Sequence, residues 1–143
     1  CALPISPEPS ACVTTTVVPG QSLPKPAKVV VNVYNASGVS GLAGRTADEI
    51  GARGFRIGQV DNDPTGRTVT GVGEIRYGPK GLKKAQLLAY YVPGATLVAL
   101  DRKGTKVDLA MGKGFNGLAA QDEVDAALTQ PSPVASGPGC STP

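Results

Sequence analysis

The chain predicts an α/β (α+β) fold: a single small domain with an open mixed sheet, two helices on one face and the element order βαβ-βαββ, flanked by Pro-rich tails. Three observations carry this prediction. Residues 29–34, Val29-Val30-Val31-Asn32-Val33-Tyr34, are a near-continuous apolar run of the kind a central strand shows. Two helix-period stripes follow, each closed by a glycine or a Pro-Gly pair. A chain of 143 residues holds one domain with a real core, but not two.

Each element has a local reason. Residues 1–27 carry Pro4, Pro7, Pro9, Pro19, Pro24 and Pro26 and read as an extended linker stiffened by proline. Within it, the β-prone run 13–18 is expected to add an edge strand. After the first apolar run a glycine turn leads to Ser40, placed to cap a helix over 41–53 whose buried stripe is Leu42, Ala43, Ala47 and Ile50, with Gly54 as its stop. Residues 55–60 alternate Phe55, Ile57 and Val60 inward with Arg56 and Gly58 outward, as in a half-buried strand. Residues 61–66 are a loop. A short strand over 74–77 ends at Gly78-Pro79, and Leu82, Ala85, Leu88 and Ala89 mark a second helix over 80–91, broken by Pro93-Gly94. Strands over 96–100 and 107–111 flank Asp101-Arg102-Lys103-Gly104, which reads as a charged hairpin turn. The compact unit is thus 28–115. A short helix is expected within 116–129, and the Pro, Ser and Gly tail 130–143 is expected to be disordered.

The titratable inventory limits the chemistry. There is no histidine, so Ser–His–Asp and Cys–His arrangements are excluded and the commonest general base is missing. No cofactor and no metal are expected. Asp61 and Asp63 are close enough in sequence to hold calcium weakly, but a solvated turn with Asx hydrogen bonds is the stronger reading. Glu74 and Arg76 share one strand face and read as a surface ion pair of little worth. Cys1, Cys12 and Cys140 lie outside the compact unit without metal-ligand spacing. They are either three free thiols or, favoured by their placement in the tails, a Cys12–Cys140 disulfide with Cys1 free, in an oxidising compartment. No segment reaches the roughly 18 apolar residues of a membrane span. Cys1-Ala2 suits either a lipid-bearing cysteine or the end of a transmembrane helix.

Gly38, Gly41 and Gly44 have the spacing G-x-x-G-x-x-G, which matches neither a dinucleotide loop nor a P-loop. Two readings remain: glycines that serve only the turn and close helix–sheet packing, or an anion site built from the amides of residues 38–42. Residues 28–115 carry 13 Lys and Arg against 7 Asp and Glu, a net of +6. Arg76, Lys80, Lys83 and Lys84 gather near the second helix's start, and Arg102, Lys103 and Lys106 near the last strand. Such charge serves solubility or a basic face for polyanions. Nucleic acid is not expected, because aromatics make up only 4% of the chain and provide no stacking platform. The candidate binding residues, for glycan, anion or partner, are Asn35, Ser37, Gly38, Val39, Ser40, Gly41, Arg76, Lys80, Lys83 and Lys84.

The segment Val30-Val31-Asn32-Val33-Tyr34-Asn35-Ala36-Ser37-Gly38-Val39-Ser40-Gly41-Leu42-Ala43 resembles the opening of the LytR C-terminal domain of bacterial cell-envelope proteins. Three later segments extend the likeness: Thr70 to Gly78, Lys84-Ala85 with Leu88-Ala89 and Pro93-Gly94-Ala95, and Val107 to Phe115. Gly114 stands before Phe115 where the family usually has an acidic residue. The resemblance implies an extracytoplasmic, membrane-anchored accessory or scaffold without catalysis, similar to a mycobacterial branch of the family associated with vesicle formation and virulence. It implies as partners a ligase of the LytR-CpsA-Psr type, a peptidoglycan-linked glycopolymer, or both, with self-association as a further expectation and a membrane anchor ahead of residue 1. The alternative is a module that binds peptidoglycan or a phosphate glycopolymer directly.

Overall fold

The structure, a computed structural model, describes residues 13–136. The elements are β1 (Val13–Val17), α1 (Pro19–Ser22), β2 (Val30–Asn35), α2 (Leu42–Ala52), β3 (Arg56–Asn62), β4 (Gly73–Tyr77), α3 (Leu82–Tyr91), β5 (Thr96–Ala99), β6 (Val107–Met111), α4 (Gln121–Thr129) and β7 (Ser132–Ser136). A five-stranded mixed sheet has the order β3-β2-β6-β4-β5. β2 is parallel to β3 and to β6; β4 is antiparallel to β6 and parallel to β5.

One face of the sheet is apolar and carries both long helices. Val31, Val33, Ile75, Leu109 and Met111 point into one cluster with Ala43, Ala47 and Ile50 of α2 and Ala85, Leu87, Leu88 and Tyr91 of α3. Each fully buried Ile or Leu here stabilises the fold by about 1.5–3 kcal/mol. The α/β architecture, the single small domain with its open mixed sheet and the two helices on one face of that sheet are as the sequence predicts. α4 closes the cluster's edge with Val124, and Tyr91 joins the two layers: it meets Phe55 edge to face at 4.9 Å and its hydroxyl accepts from Gln121.

Several local expectations fail for physical reasons. Residues 101–106 are not a hairpin turn: β6 inserts between β2 and β4, so the connection from the edge strand β5 must pass over β4. Ser40 does not cap α2; the N-cap is Gly41 at φ +77, and no side chain caps the helix. Leu82 is 40% exposed because it opens α3 directly after the Pro79–Gly81 turn, ahead of the buried line Ala85, Leu88 and Tyr91. Val60 is 44% exposed because β3 gains one residue against β2 between the pairs Val31–Ile57 and Val33–Val60, which resets the alternation. The run 13–18 does not extend the main sheet. β1 pairs antiparallel with β7, so the expectation of a structureless tail from Gln130 fails over Ser132–Ser136.

The second sheet face is polar, and residues 63–72 fold across one end of it. Asp63 and Val69 donate backbone N–H groups to the carbonyls of Asn35 and Ala36, at 3.0 Å each, and Gly112, Lys113 and Gly114 donate to Val72, Val69 and Gly71 at 2.8–2.9 Å. Gly112 is required for this approach, since a Cβ there would fall on the Gly71 carbonyl. Arg76 fastens the loop. Its Nη1 and Nη2 donate to Asp63 Oδ1 and Oδ2, both at 2.8 Å, and its Nε and Nη2 donate to Glu74 Oε1 at 3.1 and 2.9 Å. The side chains of Arg76 and Asp63 are only 5% and 1% exposed. Glu74 and Arg76 are therefore part of a buried network, not the surface pair the strand pattern suggests.

This network sets an acid limit on stability. Hydrogen bonds from Arg76 hold the pKa of the Asp63 carboxyl down to about 2, against burial, which acts to raise it. The folded value lies below that of the unfolded chain, so the contribution is present above about pH 4 and is lost as the pH falls toward 2. The melting temperature should fall over that window, and fall less steeply in Asp63→Asn, which starts from a lower value. Arg76→Met should cost about 3–5 kcal/mol at neutral pH, because it leaves a buried carboxylate uncompensated; urea denaturation measures this directly.

Cys1, Cys12 and Cys140 lie outside the described residues. The β1–β7 ladder ends on the pair Val13–Ser136, one residue after Cys12 and four before Cys140. Peptide mapping without reductant is expected to recover Cys12 linked to Cys140, with a stabilisation of about 4–5 kcal/mol over the reduced chain in the loop-entropy account. A Cys1–Cys12 link, or three alkylatable thiols, would refute it.

Candidate functional site

The sheet ladder separates the sequence-predicted site residues into different places. β2 ends at Asn35 beside Met111 and Gly73, whereas β4, running the other way, ends near Val107. The glycine turn after β2 and the lysines after β4 therefore lie at opposite ends of the sheet, about a strand length, roughly 15 Å, apart.

The glycine turn is built from its own side chains. The Ser37 N–H and hydroxyl donate to Asn35 Oδ1 at 3.0 and 2.6 Å, Asn35 Nδ2 donates to the Val39 carbonyl at 2.6 Å, and the Val39 N–H donates to Ser37 Oγ at 3.0 Å. Gly38 and Gly41 take φ +81 and +77, which gives the chain its reversal into α2. Asn35 and Ser37 thus hold the turn, and the amides of Ser37 and Val39 are consumed internally. The amides of Gly38, Ser40 and Gly41 donate to no acceptor among the described residues, and Gly38 and Ser40 border a cleft of about 440 Å³ shared with Asn62, Asp63 and Arg67. Asp63, one of the two aspartates weighed for calcium, is held by Arg76 and the Thr65 N–H. Among the described residues no group of three His, Cys, Asp or Glu side chains could hold a metal ion.

The predicted basic cluster divides. Lys80, Lys83 and Lys84 rim a groove of about 580 Å³ with Leu23, Pro24 and Leu82, so this surface is apolar at its floor and cationic at its edge. Arg76 lies on the other sheet face, is committed to Asp63 and Glu74, and is not available to a ligand.

A third place was not assembled by sequence reasoning. Asn32, Tyr34 and Asp108 alternate with core residues on β2 and β6, so they point to the face without helices. With Arg102, Lys103 and Lys106 they line a trough of about 540 Å³. Arg102 donates to Asp108 through Nη1 and Nη2 at 3.1 and 2.7 Å, and Asn32 Nδ2 donates to the same carboxylate at 2.9 Å. Asn32 Oδ1 accepts from the Gln59 N–H in the β3 bulge, and the Tyr34 hydroxyl donates to Gln59 Oε1, both at 2.9 Å. Asp108 raises the Arg102 pKa by hydrogen bonding, and burial, then Asp108, raises that of Tyr34. The signal was present as polar residues at alternate positions within apolar runs. What concealed it was the crossing of 101–106 over β4, which delivers Arg102 to Asp108.

Comparison with known proteins follows the same framework. A relative, the cell envelope integrity protein Cei of Mycobacterium tuberculosis (strain ATCC 25618 / H37Rv), is 36% identical over 110 residues, covering 76% of this chain and 51% of that protein. The chain thus spans about half the length of the curated relative it matches. The crystal structure of the soluble domain, residues 71–217, of a conserved hypothetical secreted protein from Mycobacterium marinum superposes with a TM-score of 0.69 at 29% identity, covering 80% of this chain and 81% of that one. The family model described as LytR cell envelope-related transcriptional attenuator matches residues 28–115, from the residue before the first core valine to the end of the polar-face loop contacts, and the chain belongs to that LytR C-terminal domain family.

Proposed function

We propose that this chain is a non-enzymatic, extracytoplasmic accessory of the cell envelope that supports attachment of glycopolymers to peptidoglycan by holding a ligase of the LytR-CpsA-Psr type. The observation that carries this reading is the family match over residues 28–115, joined to the likeness to a cell envelope integrity protein. The absence of histidine from the chain agrees with a binding role. Among the described residues no helix is long and apolar enough to cross a membrane.

The groove between Leu23, Leu82 and the lysines 80, 83 and 84 suits a protein segment that carries apolar and acidic side chains. Cross-linking in intact cells followed by affinity purification of the chain should recover a ligase of this type. Changing Lys80, Lys83 and Lys84 together to Glu should reduce recovery at least tenfold, and rising salt should weaken capture by the parent, since exposed charges are screened over about 8–10 Å. Failure to recover any such ligase with the parent chain overturns the scaffold reading. A second reading, direct recognition of a wall glycan, is favoured by the polar trough.

The glycine turn is assigned a structural part. Gly41→Ala places a Cβ at φ +77 and within 3.2 Å of Arg45 Nη1, so it should lower stability by roughly 1–2 kcal/mol. Capture of the ligase, and retention on purified sacculi, should be unchanged at temperatures where the variant is folded. A folded Gly41→Ala protein that no longer binds would instead make the free amides of Gly38, Ser40 and Gly41 an anion site.

A further inference from the structure

We infer that the trough on the polar sheet face is a binding site for an anionic saccharide, with Asn32, Tyr34 and Asp108 recognising hydroxyl groups and Arg102, Lys103 and Lys106 recognising a phosphate or carboxylate. Both sheet faces begin from the same alternation, and only one is filled by helices. On the other, residues 63–72 cover the end near Met111 and the 101–106 connection covers the end near Val107. What stays open between them is a concave, hydrogen-bonding surface.

The surface is set in advance of any ligand. Asp108 is 5% exposed and is held by two partners, Arg102 and Asn32. Asn32 is held in turn by the bulged strand, and the Tyr34 hydroxyl by Gln59. Arg102 is fixed at its backbone as well, since its neighbour Leu100 donates to the Tyr77 carbonyl at 2.7 Å and Arg102 packs over Gly78. Ordering entropy that a ligand would otherwise have to meet is therefore already spent in folding.

Capacity remains after these bonds are counted. A guanidinium carries five N–H donors, and Arg102 uses one on each of two nitrogens while its side chain stays 29% exposed. The Tyr34 oxygen donates to Gln59 and keeps its acceptor capacity. Lys103 and Lys106 are exposed at the rim. Three cations against the single carboxylate of Asp108 leave the lining at +2. A neutral saccharide would leave that charge unmatched; a polyphosphate would make no use of the remaining hydrogen-bonding capacity of the Asn32 amide and the Tyr34 phenol, and would meet the Asp108 carboxylate with like charge. An anionic saccharide uses both sets. That the ligand is a saccharide, and not some other polyol anion, rests on the envelope placement proposed above.

The test uses the full chain with four probes: neutral dextran, polygalacturonate, a glucose-substituted poly(glycerol phosphate) and inorganic polyphosphate. Binding is followed by calorimetry and by amide chemical shifts. The two anionic saccharides should bind, with shifts at residues 32, 34, 59, 102–106 and 108, and the stronger of the two distinguishes carboxylate from phosphate as the natural group. Lys103→Gln with Lys106→Gln, both exposed, should weaken binding at least tenfold with an unchanged melting temperature. Arg102→Lys should weaken it further by loss of the planar fork. Lys80, Lys83 and Lys84 changed to Glu should leave it intact. Equal binding of dextran or of polyphosphate, unchanged affinity in the Lys103/Lys106 variant, or shifts confined to the lysines after β4 would each overturn the site. Ligase capture is read separately on the same variants: its loss in the parent with saccharide binding intact sinks only the scaffold reading, and saccharide failure with capture intact sinks only this one.

Discussion

The buried Asp63–Arg76–Glu74 network is the constraint on which the rest of this domain depends. A five-stranded sheet with helices on one face leaves the other to be covered or solvated. Here Arg76, projecting from β4 to that second face, draws the β3–β4 loop over it through a bidentate pair with Asp63. The loop then finds backbone partners at the ends of β2 and β6, and Val69 packs on Tyr34, Ala36 and Ala110. Such a network has a desolvation cost that a hydrophobic replacement would avoid. Its advantage is registry. Asp63 has one geometry in which both carboxylate oxygens are met and its N–H reaches Asn35, so the loop has one place to sit.

The mixed strand order has consequences for where chemistry can gather. In an all-parallel sheet every strand-to-helix turn opens at the same end, and ligands collect there. Here β4 is reversed, so the turn into α2 and the turn into α3 open at opposite ends. The glycine turn and the lysine-rich groove cannot cooperate on one small ligand. The reversal also forces the link between β5 and β6 to travel across β4, and this brings Arg102 beside Asp108. The trough is thus a product of topology more than of any local motif.

What the sequence revealed and what it withheld divide along the range of the interaction. The apolar run before Tyr34, the stripes of both long helices apart from Leu82 and the stop at Gly54 depend on neighbours within a few residues, and they read correctly. Pairing between β1 and β7 joins residues more than a hundred apart, and nothing in the threonine run or in the proline-rich tail points to the other. Asp101-Arg102-Lys103-Gly104 has the composition of a hairpin turn, but turn composition does not record whether the strands it joins are neighbours. Val60 was misassigned because a one-residue bulge leaves no signature beyond Gly58. At the candidate site, the reversal at Gly38 and Gly41 is legible from local composition, because glycine takes a positive φ without strain. Arg76 was grouped with the lysines by sequence proximity, although strand alternation sends it to the opposite face.

The separation of surfaces bears on what an accessory domain of this kind is able to do. Under the proposed function, the lysine groove engages a protein and the trough engages an anionic glycan. The groove lies on the helix side and the trough on the bare side, with no residue shared between their linings. Both can therefore be filled at once. Simultaneous occupancy raises the local concentration of the glycan near the ligase, and short tethers of this sort produce effective concentrations in the millimolar range. An accessory domain could in that way accelerate attachment without touching the reacting atoms. The same reasoning explains why the two surfaces should not communicate. The sheet between them is packed with core valines and leucines and pinned by the Asp63–Arg76–Glu74 network. Coupling of the two ligands would then come from tethering alone, with each affinity unaffected by occupancy of the other surface.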